Sequence, residues 1–377
     1  VTLDTLATPA VLIEQPRVLA NIDRMQEAAD RRGIRMRPHA KTHKSVVVAR
    51  WQIDRGAIGI CCAKLGEAEV FAAAGFTDIR VPYPLQPTNA GRVLELLERT
   101  NLSFIVDHID LAKKWSDVMT RAGRVVDVLI KVDVGFHRCG IDPNPGTALA
   151  FIKEVASLEG LTLRGLLSHA GHAYHATNEQ SLRDIAEAEA ATLQRLATLA
   201  REQGIQLEEL SAGATPSARY SVQQDFITEY RAGNYVYFDR TQVALGAATF
   251  DDCALSVLAT VVSKPASDRI ILDCGSKVLT SDGARGFSPM PGHGAIFRRM
   301  GSVAGLRPDD DLLVERLSEE HATVRVQSGE TRLQPGDRVR VVPNHSCVVS
   351  NLADAAWLTD GDRVLGTMPI VARGKVT

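Results

Sequence analysis

No stretch of this 377-residue sequence reaches the ~18 uninterrupted apolar residues that a membrane-spanning helix needs. The opening VTLDTLATPAVLIEQP has no basic region followed by a sustained apolar run, so it does not read as a secretory signal. A cytoplasmic protein without a membrane partner is expected. Charge of one sign is missing too: 43 basic residues stand against 45 acidic ones, a net −2, and no whole-molecule field draws the chain to nucleic acid. Small molecules are the partners this leaves. The six cysteines (61, 62, 139, 253, 274 and 347) include no CxxC pair, which suits buried thiols of a reducing compartment better than a disulfide framework. Internal repeats and low-complexity segments are absent as well.

What is present is alternation. At 45% hydrophobic and 23% charged, the chain has ordinary globular composition and length for two domains. After a helical pattern over roughly 15 to 32, apolar strand candidates recur at IRMRPHA, AIGICCA, DIRVPYP, LSFIVDH, VDVLIKVDVG, LRGLLSHAG, LEELSAGAT and ITEYRAGNYVYFD. Helical patterns such as KLGEAEVFAAAG and NEQSLRDIAEAEAATLQRLATLAREQG separate most of them. Eight strands alternating with helices predict an α/β fold, a closed (β/α)8 barrel of the TIM type, over residues 13–248. From Cys253 the texture changes to strands and turns with little helix, which predicts a C-terminal all-β domain over 249–377 to which residues 1–12 add a strand.

The densest chemistry lies in RMRPHAKTHKS, residues 35–45, where Arg35, Arg37, Lys41 and Lys44 accompany His39 and His43. An anonymous charge run is usually a solvated loop. The barrel changes that expectation, because polar residues at strand C-terminal ends line the face where such barrels keep their active sites. Lys41 falls at the end of the first barrel strand. The same rim receives His108, the turn from Asp133 to Arg138, His169 with Tyr174, and the AGATPS and AGNY loops.

A barrel with a lysine after its first strand, followed by a β domain, resembles the alanine-racemase-like class of pyridoxal-phosphate enzymes. Within it the chain is similar to the D-threonine aldolase and D-serine dehydratase family, through RPHAKTHK, VDVGFHRCG, SAGATPS, RAGNYVYFD and PNHSC. The resemblance spans essentially the whole chain. It implies a Schiff base between Lys41 and pyridoxal 5'-phosphate, and a lysine must be partly neutral for that; burial plus Arg37, His39, His43 and Lys44 would lower its pKa. The phosphate needs backbone N–H donors at close range, for which Gly213, Ala214, Thr215 and Gly233, Asn234, Tyr235 are the candidates, after strands 7 and 8. Arg138 matches the basic group that faces the pyridine nitrogen in this class, with Asp133 as its alternative partner.

His345-Ser346-Cys347 sets two ligand types on alternate positions, which a strand would point to one face; imidazole with thiolate favours zinc over manganese or magnesium. In the family, dehydratases carry H-x-C and aldolases more often H-x-D. A competing histidine set, His169, His172 and His175, would not converge on a metal without help, and His169 and Tyr174 read instead as pocket residues. The resemblance thus implies a lyase acting on a D-3-hydroxy amino acid such as D-serine, D-threonine or D-threo-3-hydroxyaspartate, as a homodimer. Elimination of the hydroxyl to a 2-keto acid and ammonia is the expected reaction, with aldol cleavage to glycine and an aldehyde as the alternative. Racemisation and a cofactor-carrier role rank below both.

Overall fold

The computed structural model describes residues 2–298 and 305–377, so Val1 and residues 299–304 of the expected β domain lie outside the described residues. The first strand, β1 (Ala10–Glu14), runs into a helix over Gln15–Asp30 with Pro16 in its first turn, where the missing N–H costs nothing. Eight parallel strands follow: β2 (Arg35–Met36), β3 (Ile60–Cys61), β4 (Asp78–Pro84), β5 (Asn101–Val106), β6 (Val126–Lys131), β7 (Leu161–Leu167), β8 (Glu209–Ala212) and β9 (Glu229–Tyr230). Their order runs β2-β9-β8-β7-β6-β5-β4-β3. The gap between β2 and β3 is bridged by Ile58 N–H to the Met36 carbonyl at 2.9 Å and Cys61 N–H to that of Pro38 at 2.8 Å, which closes the ring.

The chain then builds an antiparallel sheet from β10 (Leu255–Ala266), β11 (Arg269–Leu272), β12 (Ala295–Phe297), β13 (Leu312–Leu317), β14 (Ala322–Val326), β15 (Arg338–Val342), β16 (Ala355–Asp360) and β17 (Arg363–Pro369). β1 sits inside this sheet, antiparallel to β10 and parallel to β16, so the two ends of the chain are tied together. Among the described residues no helix is long and apolar enough to cross a membrane.

The barrel interior is not purely aliphatic. Arg80 donates to Glu229 at 2.5 Å and to Glu209 at 2.6 Å, and Arg37 donates to Glu229 at 2.7 Å and also pairs with Asp78. Glu229 is fully buried and takes a further bond from the Ser211 hydroxyl at 2.6 Å. Removing one member of such a set strands a charge, typically at about 3–5 kcal/mol. Arg37 is therefore committed to the barrel's interior rather than to the lysine four residues on.

Candidate active site

A cavity of about 610 Å³ opens at the C-terminal end of the barrel strands, with part of its wall supplied by the β domain. Lys41 reaches it from a single 3₁₀ turn, Ala40–Thr42, directly after β2. The turn is packed hard against the ninth strand's loop: a Cβ on Gly233 would stand 2.8 Å from the His39 carbonyl oxygen and 2.9 Å from Thr42 Oγ1. Only glycine lets the two segments approach so closely.

Burial lowers the Lys41 pKa, Cys347 and Glu67 oppose the shift, and Arg138 and Arg231 add to it. The cations expected to depress Lys41 are thus not the ones that do. Arg37 is spent on Glu229 and Asp78, and Lys44 is buried with its Nζ 2.6 Å from Glu67. Burial also holds His39 and His43 well below the usual imidazole range, so both are neutral.

Of the other residues singled out in the sequence, Arg138, His169, Tyr174, Gly213, Ala214, Thr215, Gly233, Asn234, His345 and Cys347 all line this cavity with Lys41. Tyr235 does not. Its ring is buried in the core and its hydroxyl accepts a 3.0 Å bond from Gln52, so the phenol faces away from the site, while its backbone N–H, the donor expected for the phosphate, has no acceptor among the described residues. His108 is likewise absent from the wall, because its Nδ1 caps the following helix by accepting from Asp110 N–H at 3.3 Å.

His169 Nδ1 lies 2.6 Å from the Gly213 carbonyl oxygen, which makes Nδ1 the protonated nitrogen and leaves Nε2 as an acceptor. The amides of Thr215, Gly233 and Asn234 have no acceptor among the described residues. Unpaired N–H groups on a cavity wall are what a phosphate requires. They form a cradle that fits a phosphorylated cofactor.

His345 and Cys347 are not in a strand. His345 stands directly before the helix Ser346–Leu352 and Cys347 occupies that helix's first turn, yet the two side chains still meet. Burial opposes charge on His345, but Cys347, Asp239 and Asp282 outweigh it and push the imidazole up to about 10. Burial would raise the Cys347 thiol, and the His345 hydrogen bond brings it below its usual value instead. A thiolate and an imidazole that share a proton are a donor pair on which a cation can replace that proton. His345 Nδ1 is 2.7 Å from Asp282 Oδ2, the arrangement that fixes a ligating histidine's tautomer. Among the described residues no group of three or more His, Cys, Asp or Glu could hold a metal alone, which also removes the His169, His172 and His175 set.

Two arginines stand on the wall beside Lys41, Arg138 and Arg231. Arg138 is exposed, its guanidinium 5.1 Å from the Phe136 ring centroid, while Asp133 is taken by His137 at 3.0 Å. A second guanidinium, Arg231, lies buried on the same wall, with Nε donating to Ser211 Oγ at 2.6 Å and one Nη to the Ser168 carbonyl. Sequence patterning passes over it because RAGN reads only as a turn.

Lys131 on the same wall carries a testable consequence. Burial, helped by Arg231, lowers its pKa to about 7. Its folded pKa lies below its unfolded one of ~10.4. The cost of burying it is therefore complete below pH 7 and fades as pH rises toward the unfolded value. Lys131→Met is expected to raise the unfolding temperature by several degrees at pH 6 and by progressively less up to pH 10, read by thermal unfolding across that range.

Residues 13–241 match the alanine racemase N-terminal domain and residues 254–359 a putative serine dehydratase domain. The chain is 35% identical over 357 residues to a D-threo-3-hydroxyaspartate dehydratase of Delftia sp., covering 92% of each chain. It is 33% identical to a D-threonine aldolase of Arthrobacter sp., covering 97% of this chain and 93% of the other. A solved D-threo-3-hydroxyaspartate dehydratase with a cysteine-to-alanine substitution, in the metal-free form, superposes with a TM-score of 0.91 at 32% identity, over 98% of this chain and 99% of that one.

Proposed function

Since this chain belongs to the alanine racemase N-terminal-domain family and continues into a serine dehydratase domain, we propose that it eliminates the β-hydroxyl of a D-3-hydroxy amino acid, giving a 2-keto acid and ammonia. The relatives are dehydratases and aldolases, enzymes dependent on pyridoxal phosphate and a metal. The observation that carries the reading is one cavity lined at once by Lys41, unpaired amides after β8 and β9, and the His345–Cys347 pair.

Bound there, pyridoxal phosphate supplies an electron sink for the α-carbon and a divalent metal supplies a Lewis acid for the β-oxygen. Lys41 Nζ, its pKa lowered by burial, would hold the cofactor and would be the group that takes the proton from Cα. The amides of Thr215, Gly233 and Asn234 hold the phosphate. Arg231, fixed by Ser211 and Ser168, suits the pyridine nitrogen better than Arg138, whose exposed guanidinium is left for the substrate carboxylate. His169 and Tyr174 close the sides of the cavity. His345 and Cys347 would hold the metal, for which thiolate with imidazole favours zinc over manganese or magnesium.

The H-x-C pair, the form that dehydratases of the family carry, supports elimination over aldol cleavage, which is the second reading because an aldolase is among the relatives. Incubation with D-serine, D-threonine and D-threo-3-hydroxyaspartate is expected to release keto acid and ammonia. Glycine plus an aldehyde would move the assignment to the aldolase. The assembly we propose is a homodimer in which one subunit's β domain covers the partner's barrel mouth; sedimentation should give twice the chain mass, and a fully active monomer would overturn it.

A further inference from the structure

Lys41 is followed on its turn by Thr42, whose side chain is fully buried. That turn packs on the helix Ser346–Leu352, which carries Cys347. Thr42 Oγ1 stands 3.3 Å from Cys347 Sγ across the contact, and among the described residues the hydroxyl has no other hydrogen-bond partner. A buried hydroxyl with no acceptor is costly, so this one is committed to the sulfur. The turn is tied to the ninth strand's loop as well, since His39 N–H donates to the Ala232 carbonyl at 3.1 Å and a Cβ on Gly233 would stand 2.9 Å from Thr42 Oγ1. Lys41, the amides proposed for the phosphate and the Cys347 sulfur therefore meet around one hydroxyl.

Three groups approach Cys347 Sγ, and they are not equivalent. His345 shares a proton with it, but a cation held by the pair takes that proton's place, and the ligating nitrogen then has no hydrogen to give. Asn234 Nδ2 is 3.5 Å away, yet its two hydrogens have nearer acceptors in Asp239 Oδ2 at 2.7 Å and Ser346 Oγ at 3.0 Å. Among the described residues Thr42 alone keeps a hydrogen for the sulfur. An ionised sulfur only accepts, so the hydroxyl is the donor. No other hydrogen bond among the described residues joins the turn of Lys41 to the helix of Cys347.

We propose that Thr42 is a positioning residue for the metal site: its hydroxyl, donated to Cys347 Sγ, holds the turn of Lys41 and the helix of Cys347 in one arrangement, so that metal and pyridoxal phosphate each bind more tightly when the other is present. This rests on the reading of His345 and Cys347 as metal ligands. A metal fixes the sulfur, the sulfur fixes the hydroxyl, and the turn from which Lys41 extends is then ordered before the cofactor arrives. Groups already ordered cost less to bind with. The effect is reciprocal, because one coupling free energy raises both affinities by the same factor.

The test reloads the full chain, stripped of metal and cofactor, with cobalt(II) and pyridoxal phosphate. Thr42→Val keeps the shape of the side chain without its hydroxyl, Thr42→Ala removes the hydroxyl without setting a methyl group beside Gly233, and Thr42→Ser restores it. Cobalt is the probe because its sulfur-to-metal charge-transfer band reports the energy of the sulfur lone pair. Loss of a hydrogen bond raises that lone pair, so the band should move to longer wavelength in Thr42→Val and Thr42→Ala and stay in place in Thr42→Ser. Cobalt should tighten pyridoxal-phosphate binding about 10-fold in the unaltered protein and Thr42→Ser, and about 2-fold or less in the other two. A band that stays in place without the hydroxyl would overturn the role of Thr42. So would cofactor binding that weakens equally with and without cobalt, which is what a direct contact from Thr42 to the phosphate gives. A charge-transfer band missing from the unaltered protein would instead overturn the metal pair, and Thr42's role with it.

Discussion

Lys41→Ala is expected to abolish turnover, by about 10⁴-fold or more, and to erase the absorbance near the visible edge that reports a lysine-bound cofactor. Two other lysines must be told apart from it. Lys131, the other lysine of the cavity, extends from the end of β6 on the barrel wall, and Lys44 is buried against Glu67 at 2.6 Å outside the cavity lining. The control needs care, because Lys44→Ala would leave Glu67 charged and unpaired in the interior, at about 3–5 kcal/mol. The double substitution Lys44→Met with Glu67→Gln removes the amine without stranding the carboxylate. It should retain the colour. Colour that survives in Lys41→Ala and disappears in the double variant would mean the wrong lysine has been assigned.

Chelation should separate two steps that share one active site. Stripping the metal is expected to stop keto-acid formation while exchange of the α-proton with solvent deuterium continues, since Lys41 Nζ suffices for that transfer alone. Metal analysis gives the structural half of the test. His345→Ala and Cys347→Ala should each lose the bound ion, and Asp282→Asn, which keeps the size but not the charge of the group on His345 Nδ1, should weaken metal affinity about 10- to 100-fold. Cys347→Asp exchanges a soft ligand for a hard one and should shift the preference from zinc toward manganese or magnesium. Equal activity after complete chelation would take the metal out of the mechanism and return the assignment toward racemisation.

Several pKa directions in the site share a cause that no local sequence pattern carries. Lys41, His39, His169 and Lys131 are all lowered first by burial, and burial depends on what packs above a residue rather than on its neighbours in the chain. The charged company in RMRPHAKTHKS reads as a tuning shell for Lys41, but Arg37 turns into the barrel to meet Glu229, 192 residues away, and Lys44 meets Glu67. Tyr235 shows the same limit. Its backbone belongs to the expected loop, while the direction of its ring was set by Gln52 on a helix 183 residues earlier.

By itself the sequence determined the alternation of strands and helices, the lysine after the first barrel strand, the glycine-bearing loops after the last two strands, and the His345–Cys347 spacing. These are local patterns: periodicity records which face of an element is buried, and short motifs record groups held within a turn of one another. Tertiary structure alone decided which charges neutralise which, that His345 and Cys347 sit at a helix start, that Arg231 is held on the cavity wall by Ser211 and Ser168, and that residues 282 and 285 line the same cavity. Each of those depends on segments tens to hundreds of residues apart coming into contact, and the energy that selects such a contact, the burial of a charge only where a partner waits, is a property of the assembled core and not of any stretch of chain.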